Sequence, residues 1–411
     1  MTLPVRRGTV CALPGRYLVI AILTFCAAGE GFRAQVPRSA GAGSTGGSDL
    51  TVTLGAGATS NAEFAPSGGP PGGDYLSNLG LDFLTARRTG RTDWSFHYRP
   101  FYSRYEQRSE LNTLNHSLDF SGGYDLSPRT RLTLSDNFGY SRNPLYVARY
   151  EVGDSPVLTR ESRRWSNSSS AGVGLDLSRS LTLQAGLSGT AHRFQETGLY
   201  DSKIYTGSAG LSKKVGRDET FSTTYSYSRF LLSAPELPDL STTSQGLRVG
   251  WSHARGQGSK VGVSLGATRV LGEADLRTFF TGDAFFHHSL QGGDISAGYR
   301  QDLSADTGFA AVNLARTMYA GFSGRVGRFV RWGLVGDYGT RESTVVTGNQ
   351  FDSGSVVDLR YADVVLRGDV ALSPRWGLSG NAMSRRQDDA WNPGSEITVN
   401  SLFLGMTYRI F

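Results

Sequence analysis

Past Cys26 the chain has no cysteine, and both of its cysteines, Cys11 and Cys26, fall within the first 34 residues. The rest can therefore form no disulfide, thiol nucleophile or cysteine-based metal site. Long apolar runs are also missing. The one candidate, 17–28, has about 12 residues, where a membrane-spanning helix needs about 20. Charge of one sign is missing too: 42 Lys and Arg stand against 36 Asp and Glu. No basic cluster or tail occurs, so nucleic acid is not an expected partner. Core-forming residues are scarce for a chain of 411, with a hydrophobic share of 38%, 53 glycines and a mean hydropathy of −0.28. That argues against two or three soluble domains.

Arg6, Arg7 and Arg16 precede the apolar stretch 17–28, and small residues follow it. This is the layout of a secretory signal, and residues 1–34 are read as one, cleaved after Ala34 or near Ala28. The leader holds four arginines against one glutamate, so without it the net charge falls from +6 to +3. Residues 35–48 are small, polar and Gly-rich and read as a flexible periplasmic lead-in.

What remains, 49–411, is dominated by alternation. Leu181, Leu183, Ala185 and Leu187 share one parity, while Thr182, Gln184, Ser188 and Thr190 share the other. Side chains of a strand point to opposite faces with period two, so each such run is a strand with one apolar and one polar face. Turn residues recur at 87–92, 127–130, 178–180, 214–218, 256–259, 291–294, 325–328 and 373–375. Longer polar segments alternate with these turns. Eight short turns join 16 strands, and flanking strands at 49–60 and 397–411 bring the count to 18. Strand 49–60 is rich in Ala and Gly, so 16 is the alternative. The expectation is an all-β, antiparallel, up-and-down transmembrane β-barrel, apolar outside and polar within. Trp94, Tyr98, Tyr124, Tyr140, Trp376 and Tyr408 lie toward strand ends, where a barrel carries its aromatic girdles. Two places break the parity: Asp136 falls on an apolar face, and the apolar face switches at Tyr361–Ala362. A β-bulge is the expected cause at 361–362. A bulge or a position near the rim is the expected cause at Asp136.

The final run 401–411 alternates and ends in Phe411. It resembles the carboxy-terminal signal of bacterial outer-membrane proteins, which the barrel-assembly machinery reads. With the leader, the chain resembles outer-membrane β-barrels of the porin type across 49–411. That resemblance implies an outer-membrane address, lipid around the wall and assembly through the last strand. It identifies no narrower family, and no cofactor is expected.

If the barrel forms, its inner face is the functional surface. The polar parity places Arg131, Asp176, Arg248, Lys260, Asp294, Arg300 and Arg385 on that face. Segment 143–164 is the third and longest outer loop and carries Arg149, Glu151, Asp154, Arg160, Glu161, Arg163 and Arg164. In general porins, which the chain resembles, the third loop folds inward and narrows the channel; an exposed loop is the alternative here. The six histidines show no triad arrangement with a nucleophile and an orienting group, so an enzyme is not expected. A porin-like channel for small hydrophilic solutes is the leading expectation. An export barrel docked to periplasmic partners, for extracellular polysaccharide for instance, and a closed structural barrel are the others. A homo-oligomer is compatible with each. Deleting 147–160 is expected to raise single-channel conductance if the third loop narrows the pore. Unchanged conductance would remove the loop from it.

Overall fold

The computed structural model describes residues 46–62, 72–142, 163–195, 199–233, 239–256, 258–271, 276–304, 311–346, 358–389 and 396–411. Eighteen strands run in order. The first six are β1 (Gly46–Thr59), β2 (Asp74–Arg88), β3 (Thr92–Tyr105), β4 (Thr113–Ser127), β5 (Thr130–Ser141) and β6 (Arg164–Asp176). The next six are β7 (Leu181–Phe194), β8 (Asp201–Val215), β9 (Glu219–Ser233), β10 (Leu240–Arg255), β11 (Ser259–Leu271) and β12 (Leu276–Leu290). The last six are β13 (Gly293–Ser304), β14 (Ala311–Val326), β15 (Val330–Val346), β16 (Asp358–Ala371), β17 (Trp376–Asp389) and β18 (Ile397–Arg409). Each strand pairs antiparallel with the next, and β1 pairs with β18 from Thr51↔Arg409 to Thr59↔Ser401. The sheet is thus closed, with 18 strands rather than 16. β1 opens at Gly46, three residues inside the segment read as a flexible lead-in. Residues 1–45 lie outside the described residues.

The alternation sorts the wall into two faces. Leu54, Leu79, Leu134, Leu187, Val249, Leu265, Phe280 and Leu366 are all exposed, and the strand registers place them on one continuous outer surface. Leu187 and Leu265 are each 71% exposed. In water such a belt would be costly at about 25 cal/mol per Å²; against lipid it costs nothing. Aromatic pairs sit on the same face, among them Trp376 and Tyr408 at 4.6 Å and Phe322 and Trp332 at 5.1 Å, beside the short turns. Tyr98, His116 and Tyr140 form a second group on β3–β5.

Local chemistry explains the departures from regular pairing. β2 and β3 pair from Leu76↔Tyr105 to Gly80↔Phe101, then resume at Phe83↔Tyr98. Pro100 lies in that gap and has no N–H to give. Register shifts occur at Asp125/Ser127 in β4 and at Val312/Asn313 in β14. Neither is where the sequence pattern suggested one. The registers of β16 run unbroken through Tyr361 and Ala362. The change of apolar parity there arises because Leu359 and Tyr361 face inward and are buried, while Val364 and Leu366 face outward. Tyr361 lies across Gly339 of β15, where a Cβ would collide with its ring. Gly57 likewise leaves room for Phe403, whose ring would meet a Cβ at 2.6 Å.

Asp136 sits on the outer face in the middle of β5, between Leu134 and Phe138, in an unbroken register with β6. It is neither at a bulge nor at the rim. It accepts hydrogen bonds from Asn167 Nδ2 at 3.1 Å and Ser169 Oγ at 2.5 Å. A carboxylate on a lipid-facing wall is disfavoured by an amount that grows toward the midplane. Asp136→Leu is therefore expected to raise the unfolding free energy in lipid or detergent by about 1–2 kcal/mol. A comparable loss in urea titration would mean that the hydrogen-bonded trio is net stabilising.

Candidate functional site: the inner wall

The inner face is the parity opposite the apolar belt, and its charged groups are mostly arranged in pairs across neighbouring strands. On β2–β5, His97 Nε2 lies 2.8 Å from Asp82, and Arg99 donates to Asp119 at 3.2 Å and to Ser117 at 3.1 Å. Asn137 also donates to Asp119. On β10–β13, Arg248 donates to Asp302 at 3.0 Å and lies 3.6 Å from Asp283. On β16–β17, Arg385 and Asp363 face each other at 3.6 Å, both essentially inaccessible to water. The Tyr361 hydroxyl and Thr317 Oγ1 are 2.8 Å apart beside them.

Every residue proposed from the sequence for this wall has inner parity. Arg131 donates to Asp93 and, at 2.8 Å, to Asp125 near the short turns. Asp176 accepts from Thr182 at 2.7 Å, and Asp294 accepts from Ser289 at 2.7 Å with His287 at 3.7 Å. The Lys260 ammonium lies 5.3 Å from the centre of the Phe285 ring. Arg300 is exposed on the inner face of β13. The structure brings these residues together as separate local groups, not as one ring.

The third-loop set divides differently. Arg149, Glu151, Asp154, Arg160 and Glu161 lie outside the described residues. Arg163 is described, exposed, and precedes the strand. Arg164 is a correction to the loop reading: it opens β6, pairs with Ser141 and Phe194, and is buried. The backbone pairing of β6 with both neighbours extends to this residue, so it belongs to the wall.

Two features were not anticipated. The inner face of β16–β18 carries an apolar cluster of Val365, Met383, Ile397 and Val399, all buried. At the end of the barrel opposite the short turns, Tyr200, Phe230, Leu232, Leu240 and Val312 form a second cluster, with Ile204 and Leu303 against it. Burial pushes the Tyr200 hydroxyl above its ordinary range. The second feature is the opposite wall. Between its ends the inner face of β6–β9 has no charged side chain, and Ser, Thr and Gly predominate there. Hydroxyls pair across this part of the sheet, Ser135 with Ser170 at 2.7 Å and Thr206 with Ser228 at 2.9 Å. The sequence did carry that signal, in the alternating Ser166, Ser168, Ser170 and Ser222, Thr224, Ser226. Among the described residues no group of three or more His, Cys, Asp or Glu is placed to hold a metal ion.

No family model matches the chain, and no curated protein matches it. Among solved structures it is similar to OccK2 (OpdF) of Pseudomonas aeruginosa, with 14% identity over 88% of this chain and 98% of that one and a TM-score of 0.45. It is similar to a BenF-like porin from Pseudomonas fluorescens Pf-5, with 12% identity over 88% and 99% of the two chains and a TM-score of 0.44. It is also similar to the siderophore receptor PirA from Pseudomonas aeruginosa, with 10% identity over 88% and 80% and a TM-score of 0.42. The closure of this barrel rests on its own strand registers.

Asp363 and Arg385 give a direct test of the filled wall. Removing one member of a buried pair strips the other charge of its opposite partner, so Asp363→Ala is expected to cost about 3–5 kcal/mol of unfolding free energy. The double change Asp363→Leu with Arg385→Met is expected to cost much less. An equal or larger loss in the double variant, read by denaturant titration of the folded band, would contradict the pairing.

Proposed function

We propose that this protein is an outer-membrane channel of the porin type, passing small hydrophilic solutes without a bound cofactor. The observation that carries this reading is a closed wall whose outer belt is apolar and whose inner face is polar and in part open to water. Ser168, Ser170, Gln184, Ser188 and Thr224 are all inward and exposed. Barrels of this strand number leave an aqueous lumen unless something fills it. The closed wall and its lipid-suited belt support an outer-membrane address.

The export reading draws on a different observation. A cleft of about 560 Å³ lies among the short turns, lined by Arg91, Asp125, Arg129, Arg131 and Asp176 among others. Charged side chains of both signs there suit a periplasmic partner.

Planar-bilayer recording of the purified protein separates the two. Stepwise conductance from the protein alone is expected for a pore. A silent bilayer, with β-rich circular dichroism intact and conductance only after periplasmic partners are added, would overturn the pore reading in favour of export.

A further inference from the structure

The water-accessible part of the lumen is off-centre. On β16–β18 the inward side chains of the half away from the short turns are buried: Leu359, Tyr361, Val365, Met383, Arg385 and Val399. Across the barrel, inward Ser168, Ser170, Gln184, Ser188 and Thr224 are exposed in the middle of β6, β7 and β9. Water therefore follows the β6–β9 wall rather than the axis.

That wall is chemically uniform. The inner faces of β7 and β9 carry no Asp, Glu, Lys or Arg at all. β6 and β8 carry inward charge only at their ends, at Arg164, Asp176 and Lys214. A hydroxyl can donate one hydrogen bond and accept two, and it can rotate between these roles. A surface of such groups can exchange water for the hydroxyls of a solute at little cost, one step after another. It offers no compensation to a bare charge leaving bulk water. Much of the charge elsewhere in the lumen is already paired, as in Arg248 with Asp302 and Arg99 with Asp119. Lys260, Arg277, Arg300, Arg325 and Arg331 are exposed on the inner faces of β11–β15, which leaves a modest positive field there and no charge between the ends of the β6–β9 wall.

We infer that this passage is selective for uncharged, hydroxyl-rich solutes, the chemical class of sugars and polyols, which move along the β6–β9 wall by exchanging hydrogen bonds with its Ser and Thr side chains. The inference rests on the channel reading and specifies its substrate class.

The test is swelling of proteoliposomes containing the full-length wild-type protein in three solutes of one carbon skeleton: sorbitol, gluconate and glucamine. Sorbitol is expected to enter about threefold faster, or more, than either charged analogue, because neither charge is compensated along the wall. Equal rates, or a faster charged analogue, would overturn the inference and leave the channel standing. Entry of none of the three would overturn the channel reading and the inference with it. A second measurement places the path. Ser188→Asp introduces an uncompensated charge on that wall and is expected to shift the KCl reversal potential toward cation preference. An unchanged reversal potential in a conducting Ser188→Asp channel would show that ions and solutes do not travel along β7.

Discussion

In lipid a backbone N–H or C=O has no water to turn to, so a wall of strands is stable only when every edge is paired. The contact of β1 with β18 is the interaction on which the rest depends. Nine residue pairs join the two strands, and Leu50 N–H donates to Phe411 O at 3.2 Å while Ile410 N–H donates to Leu50 O at 2.8 Å. An inward ion pair, Arg409 with Asp49 at 3.0 Å, stands at the same seam. Once this seam is made, parity assigns every side chain to lipid or lumen. A one-residue slip anywhere would exchange the two. Gly55 and Gly57 fit that role: they let the Phe403 ring lie over β1, which packs the seam from within.

Closure by itself does not make a passage. The lumen of this barrel is unevenly filled, with an apolar cluster and a buried Arg–Asp pair on β16–β18 and hydroxyls facing water on β6–β9. The filled side resembles a protein core in its requirements: close packing and charges that meet a partner. The open side needs neither, and its sequence relaxes accordingly into Ser, Thr and Gly. The division explains how one chain can be stable with little aliphatic content and still leave room for water.

The strand count and the turns were legible because they depend on local chemistry. Gly216, Gly256 and Gly327 adopt positive φ in three of the short turns, which only glycine does without strain. Inner parity at Arg131, Arg248 and Arg385 was legible for the same reason. The partners were not, since Arg248 and Asp302 are 54 residues apart and meet only when the sheet forms. Apolar parity misled at Tyr361 because a buried inner side chain reads like a lipid-facing one. Asp136 could not be explained from its own strand, since Asn167 and Ser169 on β6 supply its hydrogen bonds. Arg164 was read as the end of the charged segment 143–164, whereas the pairing that extends β6 to it comes from β5 and β7.

A closed barrel whose water path follows the β6–β9 wall can be probed by single-cysteine reactivity in reconstituted vesicles. With Cys11 and Cys26 replaced by serine, Leu187→Cys, Ser188→Cys and Val399→Cys would each be exposed to a membrane-impermeant thiol reagent. Rapid modification is expected at residue 188 alone, with residue 187 reached only from lipid and residue 399 protected. Equal reaction at 187 and 188, or reaction at 399 as fast as at 188, would contradict it.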